Sequence, residues 1–580
     1  MSANLLLDQL HRMVTDSDAI ERLRQYALSV AMTGRLLENR ADAEPASVLL
    51  HAINSKREEL IGDGRLRAKR SDYGALTAGD DFDLPRHWVR TVVNETCELR
   101  TGATPSRDRA DFFGGDIPWL VSGDVNQGEI FACEGRITQL GMDSSNCKWL
   151  PPGAVLMALN GQGRTRGTVA LLRIPATCNQ SLVAIIPVRD DCLLPEYLFW
   201  NLRSRYHQLR GLTGEEGDRR GLNMRIISCL TLPLPPLDEQ HRIVTKVGEL
   251  MALCDQLEAA QEERETRRDA VRSVSLHRLV LSSEGNTESD TRFFLGASRR
   301  LITKAQHVTA VRRSMLHLAI RGMLVPQDPS DEPAEQLLDA SDQVRAAISV
   351  RDRRAREEKQ EVMASDLRWD VPPEWQWRGL ADLALFIDYR GRTPAKINSG
   401  VRLVTAKNVR MGYVSVEPQE FVSEDEFASW MTRGMPADGD VLFTTEAPMG
   451  NAAVVRLTER FALAQRVINL RLYGSLDPDF LVLQILAEPF QRILDATATG
   501  LTAKGIKAAK LKRLPIVVPP LAEQRRIVAK VAELMVLCDE LATTLAAADS
   551  MRGSLLDTIL RQALEGATDQ AVAGDIASAV

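Results

Sequence analysis

Apolar residues spaced alternately four and three apart mark two long helices. Ile243, Val247, Leu250, Cys254 and Leu257 form one seam, and Ile527, Val531, Leu534, Cys538, Leu541 and Leu545 form the other. This spacing predicts a heptad face that needs a partner helix. Each seam follows a proline pair, Pro235-Pro236 or Pro519-Pro520. Proline suits a helix start, where its missing N–H would have no intrahelical partner. Asp238, Glu239 and Glu523 fall in the first turn, where the positive end of the helix favours carboxylates. The text around both seams is Pro-Pro-Leu-x-Glu-Gln-x-x-Ile-Val, and Pro235 recurs as Pro519 at an offset of 284 residues. One copy would read as an amphipathic helix in an ordinary core. Two copies half a chain apart read as an internal duplication.

A second helical pattern is repeated as well. Ile20, Leu23, Tyr26, Ala27, Val30 and Ala31 form a stripe that Gly34 ends, and Pro45 restarts a helix. Residues 311–322 and 332–338 repeat residues 23–34 and 44–50 at an offset of 288. A shorter copy at 555–566 precedes an Ala-rich tail expected to fray. Between the helical parts lie short apolar runs such as 154–158, 168–172, 181–186, 440–444 and 452–455, set apart by Gly, Pro, Asn and Asp. These predict strands and turns. Pro85-Arg86-His87-Trp88 and Pro372-Pro373-Glu374-Trp375 open the two strand-rich regions.

The predicted fold is α+β: two globular α/β modules separated by long antiparallel helix pairs in a pseudo-two-fold tandem repeat. Its segments are a helical N-terminal part (1–83), a first module (84–232), a central long-helix pair (233–370), a second module (371–515) and a distal long helix (516–580) pairing with the N-terminal part. The helix from Leu237 to Leu281 would be roughly 65 Å long at about 1.5 Å per residue, a spacer rather than a core element. Residues 293–361 are expected to be helical and to fold back on it.

The modules share anchors. Gly102-Ala103-Thr104-Pro105 answers Gly391-Arg392-Thr393-Pro394, Asp124-Val125 answers Asn408-Val409, Gln180 answers Gln465, and Gly221-Leu222 answers Gly505-Ile506. Between the anchors the residues are mostly unrelated, which suits two recognition modules that read different things.

Composition narrows the function classes. Net charge is −6, but each module carries +2 and the remainder −10, a weak pull toward an acidic ligand. No apolar run reaches the roughly 18–20 residues that span a bilayer, and the expected location is cytoplasmic, with no membrane partner. The eight cysteines form no Cys-x-x-Cys and no cluster with His, so neither a zinc site nor a disulfide framework is expected. The Gly-rich stretch 161–167 is followed by a strand pattern rather than a helix, so it reads as a hairpin carrying Arg164 and Arg166 and not as a phosphate loop. Residues 112–116 are a poor match to a methyl-donor loop for the same kind of reason. No Walker loop, no nuclease cluster of carboxylates with lysine and no Ser/His/Asp arrangement stands out. The expectation is a chain without catalytic residues, bound metal or cofactor.

Taken together, the repeated Pro-Pro-Leu-x-Glu-Gln helix, the repeated Ala-x-x-Gly followed by Glu-Pro-Ala-x-x-Leu-Leu, and the two divergent modules opened by Pro-x-x-Trp resemble the specificity subunit of type I restriction-modification enzymes. The resemblance covers residues 20–566. It implies that each module is a target-recognition domain reading one half of a split double-stranded DNA site. It implies that the helices set the gap and dock two methyltransferase subunits, which hold S-adenosylmethionine and modify adenine. A restriction subunit, an ATP- and Mg-dependent translocase and endonuclease, would complete the assembly. The candidates for base or phosphate contact are Arg164, Arg166, Gln180, Arg219, Arg220 and Arg225 in the first module. In the second they are Lys407, Asn408, Arg410, Gln465, Arg466, Lys504 and Lys507. Gln180 and Gln465, matched in modules expected to read different bases, also fit a framework role. Two rival readings stay open on the residues alone: a self-contained restriction or modification enzyme, and a helical scaffold that carries two ligand-binding modules without DNA.

Overall fold

The computed structural model describes residues 17–37, 44–66, 83–160, 165–211, 222–281, 287–351, 369, 371–389, 394–499 and 504–577. The chain divides into two compact units, one formed by Met1–Arg264 with Arg552–Val580 and the other by Glu265–Met551.

The first unit begins with helices α1 (Ser17–Met32) and α2 (Ser47–Gly62). Ten strands follow: β1 (Val89–Val92), β2 (Cys97–Thr101), β3 (Phe113–Leu120), β4 (Glu129–Ile130), β5 (Arg136–Ile137), β6 (Val155–Ala158), β7 (Val169–Leu172), β8 (Thr177–Cys178), β9 (Leu182–Pro187) and β10 (Thr231–Leu234). Antiparallel pairing of β1 with β10 ties the start of the module to its end. A five-stranded sheet runs β2-β9-β6-β7-β4, and a smaller one runs β5-β3-β8, with β3 and β8 parallel. The apolar runs read as continuous because the larger sheet is buried on both faces. Val155, Met157, Val183 and Ile185 pack with Leu28 and Met32 of α1 and with Tyr197, Leu198 and Leu202 of α3 (Pro195–Ser204). Leu156, Ala170, Leu182 and Ala184 face the other way, toward Leu120, Val125 and Ile130.

Helix α4 (Leu237–Leu281) starts in this unit. Its seam residues Ile243 and Val247 bury in the module's own core, while Cys254 meets Ile20, Leu556 and Leu560. Only part of the seam therefore finds helices as partners, because the module covers its first turns. Arg24 fastens α1 to α4 through Asp255 at 2.7 Å and Glu258 at 2.6 Å, and Arg22 reaches Asp557 at 3.0 Å.

The second unit repeats the plan with α5 (Thr287–Leu301), α6 (Ala305–Ala319), α7 (Ala334–Arg351), nine strands, α8 (Pro478–Leu486) and α9 (Leu521–Ala577), whose last part belongs to the first unit. The strands are β11 (Gln376–Gly379), β12 (Ala384–Asp388), β13 (Val401–Val404), β14 (Phe421–Val422), β15 (Val441–Thr444), β16 (Ala452–Val454), β17 (Phe461–Leu463), β18 (Val467–Leu472) and β19 (Pro515–Val518). β11 pairs with β19, the main sheet runs β12-β18-β15-β16, and the smaller one runs β14-β13-β17 with β13 and β17 parallel. Here Ile527 and Val531 of α9 enter the module core, and Cys538 joins Leu276, Leu279, Phe294, Val308 and Val311.

Two expectations need correction. Residues 293–351 are not one returning helix but three, because Lys304 is extended and the His307 ring accepts the backbone N–H groups of Thr303 and Lys304, capping a new start. Residues 352–368 lie outside the described residues. The tail after Gly566, expected to fray, also continues α9 as far as Ala577.

The repeated motifs all meet at one joint in each unit. Gly34 and Gly322 both have φ +73, and a Cβ added there would lie 2.5 Å from Cγ of Pro85 or Pro372. Glycine is thus required twice over, by conformation and by space. Trp88 Nε1 donates to Glu239 Oε2 at 3.0 Å, and Trp375 Nε1 to Glu523 Oε2 at 2.8 Å. Gln240 Nε2 donates to the carbonyls of Cys192 and Pro235 while its Oε1 accepts the N–H of Leu194. Gln524 does the same with Ser475, Pro519 and Asp477. The Glu-Gln pair of the motif is therefore structural, satisfying buried groups that would otherwise lose water without replacement.

Candidate nucleic-acid interface

In the second module four chain segments collect at one end of the sheets. The pairings Val404 with Leu463 and Thr444 with Val467 bring the ends of β13, β17 and β15 and the start of β18 to the same side. Bridges from Gly505 to Glu446 and to Thr499 add the segment around residue 505. Lys407, Arg410, Gln465, Arg466, Lys504 and Lys507, scattered over a hundred residues, are thereby gathered.

The loop after β13 is held from inside. Asn408, only 2% exposed, accepts from the N–H and hydroxyl of Thr405 at 3.0 and 2.9 Å. It donates to the carbonyls of Ser415 and Pro418 at 3.1 and 3.0 Å. With its bonding capacity spent and its amide buried, Asn408 is corrected from a candidate base reader to the anchor of its loop. Beyond it Val409 bridges Val414, Arg410 N–H donates to Tyr413 O at 2.9 Å, and Gly412 takes φ +92. The tip presents Lys407 and Arg410 to solvent, with Met411 59% and Tyr413 61% exposed.

Beside this tip is a cleft of about 370 Å³ lined by Thr445, Glu446, Gln465, Arg466, Thr499 and Lys507. Arg466 is in the left-handed region at φ +75. Its carbonyl accepts the Thr445 N–H at 2.9 Å, and its Nε lies 3.3 Å from Glu446 Oε2. Lys504 stays on the surface, 3.9 Å from Asp495. Sequence reasoning missed Glu446, because a lone Glu in a turn carries no spacing signal.

The first module builds the same end. Asp124 Oδ2 accepts the Val121 N–H at 2.7 Å, as Asn408 does for Thr405, and Gly128 takes φ +73 where the other loop has Gly412. Its tip offers Asn126 and Gln127, both exposed. Gln180, exposed on the β8–β9 connection that matches the position of Gln465, accepts a bond from the Thr104 hydroxyl. Arg166 is half-buried in the β6–β7 loop, and Arg225 is exposed on the short helix Met224–Ser228. Arg164, Arg219 and Arg220 lie outside the described residues. The segment carrying Arg225 reaches this end because Leu222 N–H donates to Leu159 O at 3.0 Å, as Ile506 does to Thr445 O in the second module.

One cluster elsewhere has metal-ligand residue types: Glu265, Asp269 and His307 lie within 4.8 Å of one another. The His307 Nδ1 accepts two backbone N–H groups, so in the neutral ring the proton sits on Nε2. Burial pushes His307 below its ordinary value. Glu265 pairs with Arg268, and Asp269 with Arg272 at 2.8 Å. This is an ion-pair network at a helix start.

Two loop ends built on one frame but filled with different side chains define a protein with paired recognition modules. No helix among the described residues is long and apolar enough to cross a membrane. The chain belongs to the family of the type I restriction modification DNA specificity domain, whose model matches residues 85–265 and 374–547, each a module with the first part of the helix that follows it. It is 25% identical over 580 residues to the type I restriction enzyme EcoAI specificity subunit of Escherichia coli, covering 95% of this chain and 94% of that one. The EcoEI specificity subunit, also of Escherichia coli, is 24% identical over 588 residues with the same coverage. Among solved structures, a chain described for the complex assembly and conformational transition of the type I R-M system is similar at 18% identity and a TM-score of 0.46, covering 83% of this chain and 98% of that one.

Proposed function

We propose that the chain is the non-catalytic specificity subunit of a type I restriction-modification assembly, and that each module reads one half of a split DNA target. The observation that carries this reading is the loop end present twice. A backbone frame with matching hydrogen bonds presents Asn126, Gln127 and Gln180 in one copy and Lys407, Arg410, Gln465 and Arg466 in the other. Side chains of these types serve the two tasks of DNA recognition: cations fix register on phosphates, and amides and guanidinium groups discriminate base edges. Neither task needs an active site in this chain. Methyl transfer and ATP-dependent cleavage belong to partner subunits: two methyltransferase subunits docked on the long helices, and restriction subunits beyond them. The modules themselves are residues 84–232 and 371–515, with the remaining helices as spacer and docking surface.

The test is module exchange. With its methyltransferase partners supplied, the chain should direct methylation to one bipartite motif mapped by long-read sequencing. Replacing residues 84–232 by the matching part of a relative should change one half of the motif and leave the other half intact. A chain that methylates DNA alone, or a motif that changes in both halves, would overturn the proposal.

A further inference from the structure

Two non-glycine residues among those described have left-handed backbone, Ala447 at φ +47 and Arg466 at φ +75; Arg466 pairs with Glu446, and Ala447 is the next residue after that glutamate. Such conformations are disfavoured by contact of the side chain with its own backbone, and they persist where the surroundings over-determine them, often at functional positions. Here the surroundings are visible. Thr445 N–H and Oγ1 both donate to Arg466 O, and Ile506 N–H donates to Thr445 O, so the backbone on both sides of the cleft is pinned. Gly505 packs close by, since an added Cβ would lie 3.2 Å from Thr445 O and 3.4 Å from Glu446 Cγ.

The first module has the same bonds at the same places. Leu159 N–H donates to Ser181 O at 2.8 Å, and Leu222 N–H donates to Leu159 O at 3.0 Å. Ser181 therefore stands where Arg466 stands, and Asn160, next after Leu159, stands where Glu446 does. Two positions held by the same backbone hydrogen bonds carry short neutral side chains in one copy and an Arg–Glu pair in the other, and of Ser181 and Arg466 only Arg466 takes left-handed backbone. Positions that differ while their frame does not are where two readers of different targets must differ.

The chemistry of the pair points to a base rather than the backbone. A site meant only for phosphate would gain nothing from a carboxylate beside Arg466 and Lys507, because it repels the polyanion. Glu446 Oε2 lies 3.3 Å from Arg466 Nε, an ion-pair contact at the guanidinium nitrogen nearest the chain, distinct from the two terminal nitrogens. Those nitrogens match the O6 and N7 acceptors of guanine in the major groove as a rigid planar fork, which the flexible ammonium of lysine does not supply even though it can donate to both acceptors. We propose that Arg466 reads a guanine in the half-site of the second module and that Glu446 is its positioning residue. This inference rests on the DNA-reading function given above.

The test uses the full chain with its methyltransferase partners and a DNA library randomised across both half-sites. Arg466→Gly keeps the left-handed backbone without strain and removes only the side chain, so its melting temperature should be unchanged or higher. It should lose the preference for guanine at one position of one half-site, with methylation of the native site falling about tenfold or more, in line with the value of a bidentate contact. Arg466→Lys keeps the charge and donors without the planar fork and should weaken the same preference less than Arg466→Gly does. Glu446→Gln should relax that same position to a smaller degree. The idea fails if the variants keep the wild-type motif, or if Arg466→Gly weakens methylation equally on every sequence, as loss of a phosphate contact would. A wild-type complex that selects no bipartite motif would instead overturn the function itself.

Discussion

The loops that follow β3 and β13 are the same device with different tips. Asp124 and Asn408 close the loop onto the backbone N–H three residues before them, and Gly128 and Gly412 turn it with positive φ. Between these fixed points one loop carries Asn126 and Gln127 and the other Arg410 and Met411. After the glycine, Glu129 is occupied by Arg173 at 3.1 Å, whereas Tyr413 stands exposed. The frame needs an acceptor at the anchor and a glycine at the turn, and either Asp or Asn supplies the acceptor. The tip is under no such demand, because its side chains leave the module without entering the core. Stability and selectivity are thereby assigned to different residues only a few positions apart.

The largest test of this division sets Trp375→Ala against Tyr413→Ala. Trp375 is 3% exposed, packs edge-on against Phe480 and donates to Glu523, so its loss should cost about 3–5 kcal/mol in denaturant unfolding. Tyr413→Ala should move the same measurement by less than about 0.5 kcal/mol. A comparable loss from both would erase the distinction.

A smaller effect is expected at Glu523. Its removal by Glu523→Ala leaves the Trp375 and Gln327 donors without an acceptor and should cost about 1–3 kcal/mol, whereas Glu523→Gln keeps an acceptor for one of the two donors and should cost about 1 kcal/mol at pH 7. Burial raises the Glu523 carboxyl above its usual value, outweighing these two bonds. The folded state therefore holds this proton more tightly than the unfolded one. The carboxyl's stabilising contribution is complete below its ordinary value of 4.5 and is lost as pH rises through the raised value. Urea unfolding from pH 4.5 upward should give the wild type a steeper decline than Glu523→Gln, and parallel curves would contradict this.

Exchanging the tips themselves should also change stability little. Placing Asn-Gln-Gly-Glu at residues 410–413 should alter stability by no more than about 1 kcal/mol while changing the bases tolerated in one half of the methylated motif. An unaltered motif would remove the tip from the reading surface.

The frame was legible in the sequence for a physical reason. A joint that needs Gly34 beside Pro85, Trp88 on Glu239 and Gln240 across three backbone groups tolerates few substitutes, so both copies spell it alike. The interface was legible only in part. Gln465 and Arg466 do line one cleft, and Lys407 and Arg410 share one tip, but nothing in the spelling says which side chain turns inward. Asn408 was the misleading case, although its pairing with Asp124 carried a usable signal: a residue kept in two modules with different contents serves the frame. Glu446 left no trace because its partner lies twenty residues away, beyond β16 and β17. The helical seams misled in the opposite way, since Ile243 and Ile527 keep heptad spacing yet bury in their own modules.

The cluster of Ile20, Cys254, Leu556 and Leu560 sets a timetable for synthesis. At roughly 5–20 residues per second, the ribosome needs about 15–60 s to travel the 302 residues from Cys254 to Leu556. During that interval the nascent first unit has part of its apolar surface uncovered, and the entire second unit emerges before the cover arrives. The portion translated first is consequently the portion completed last.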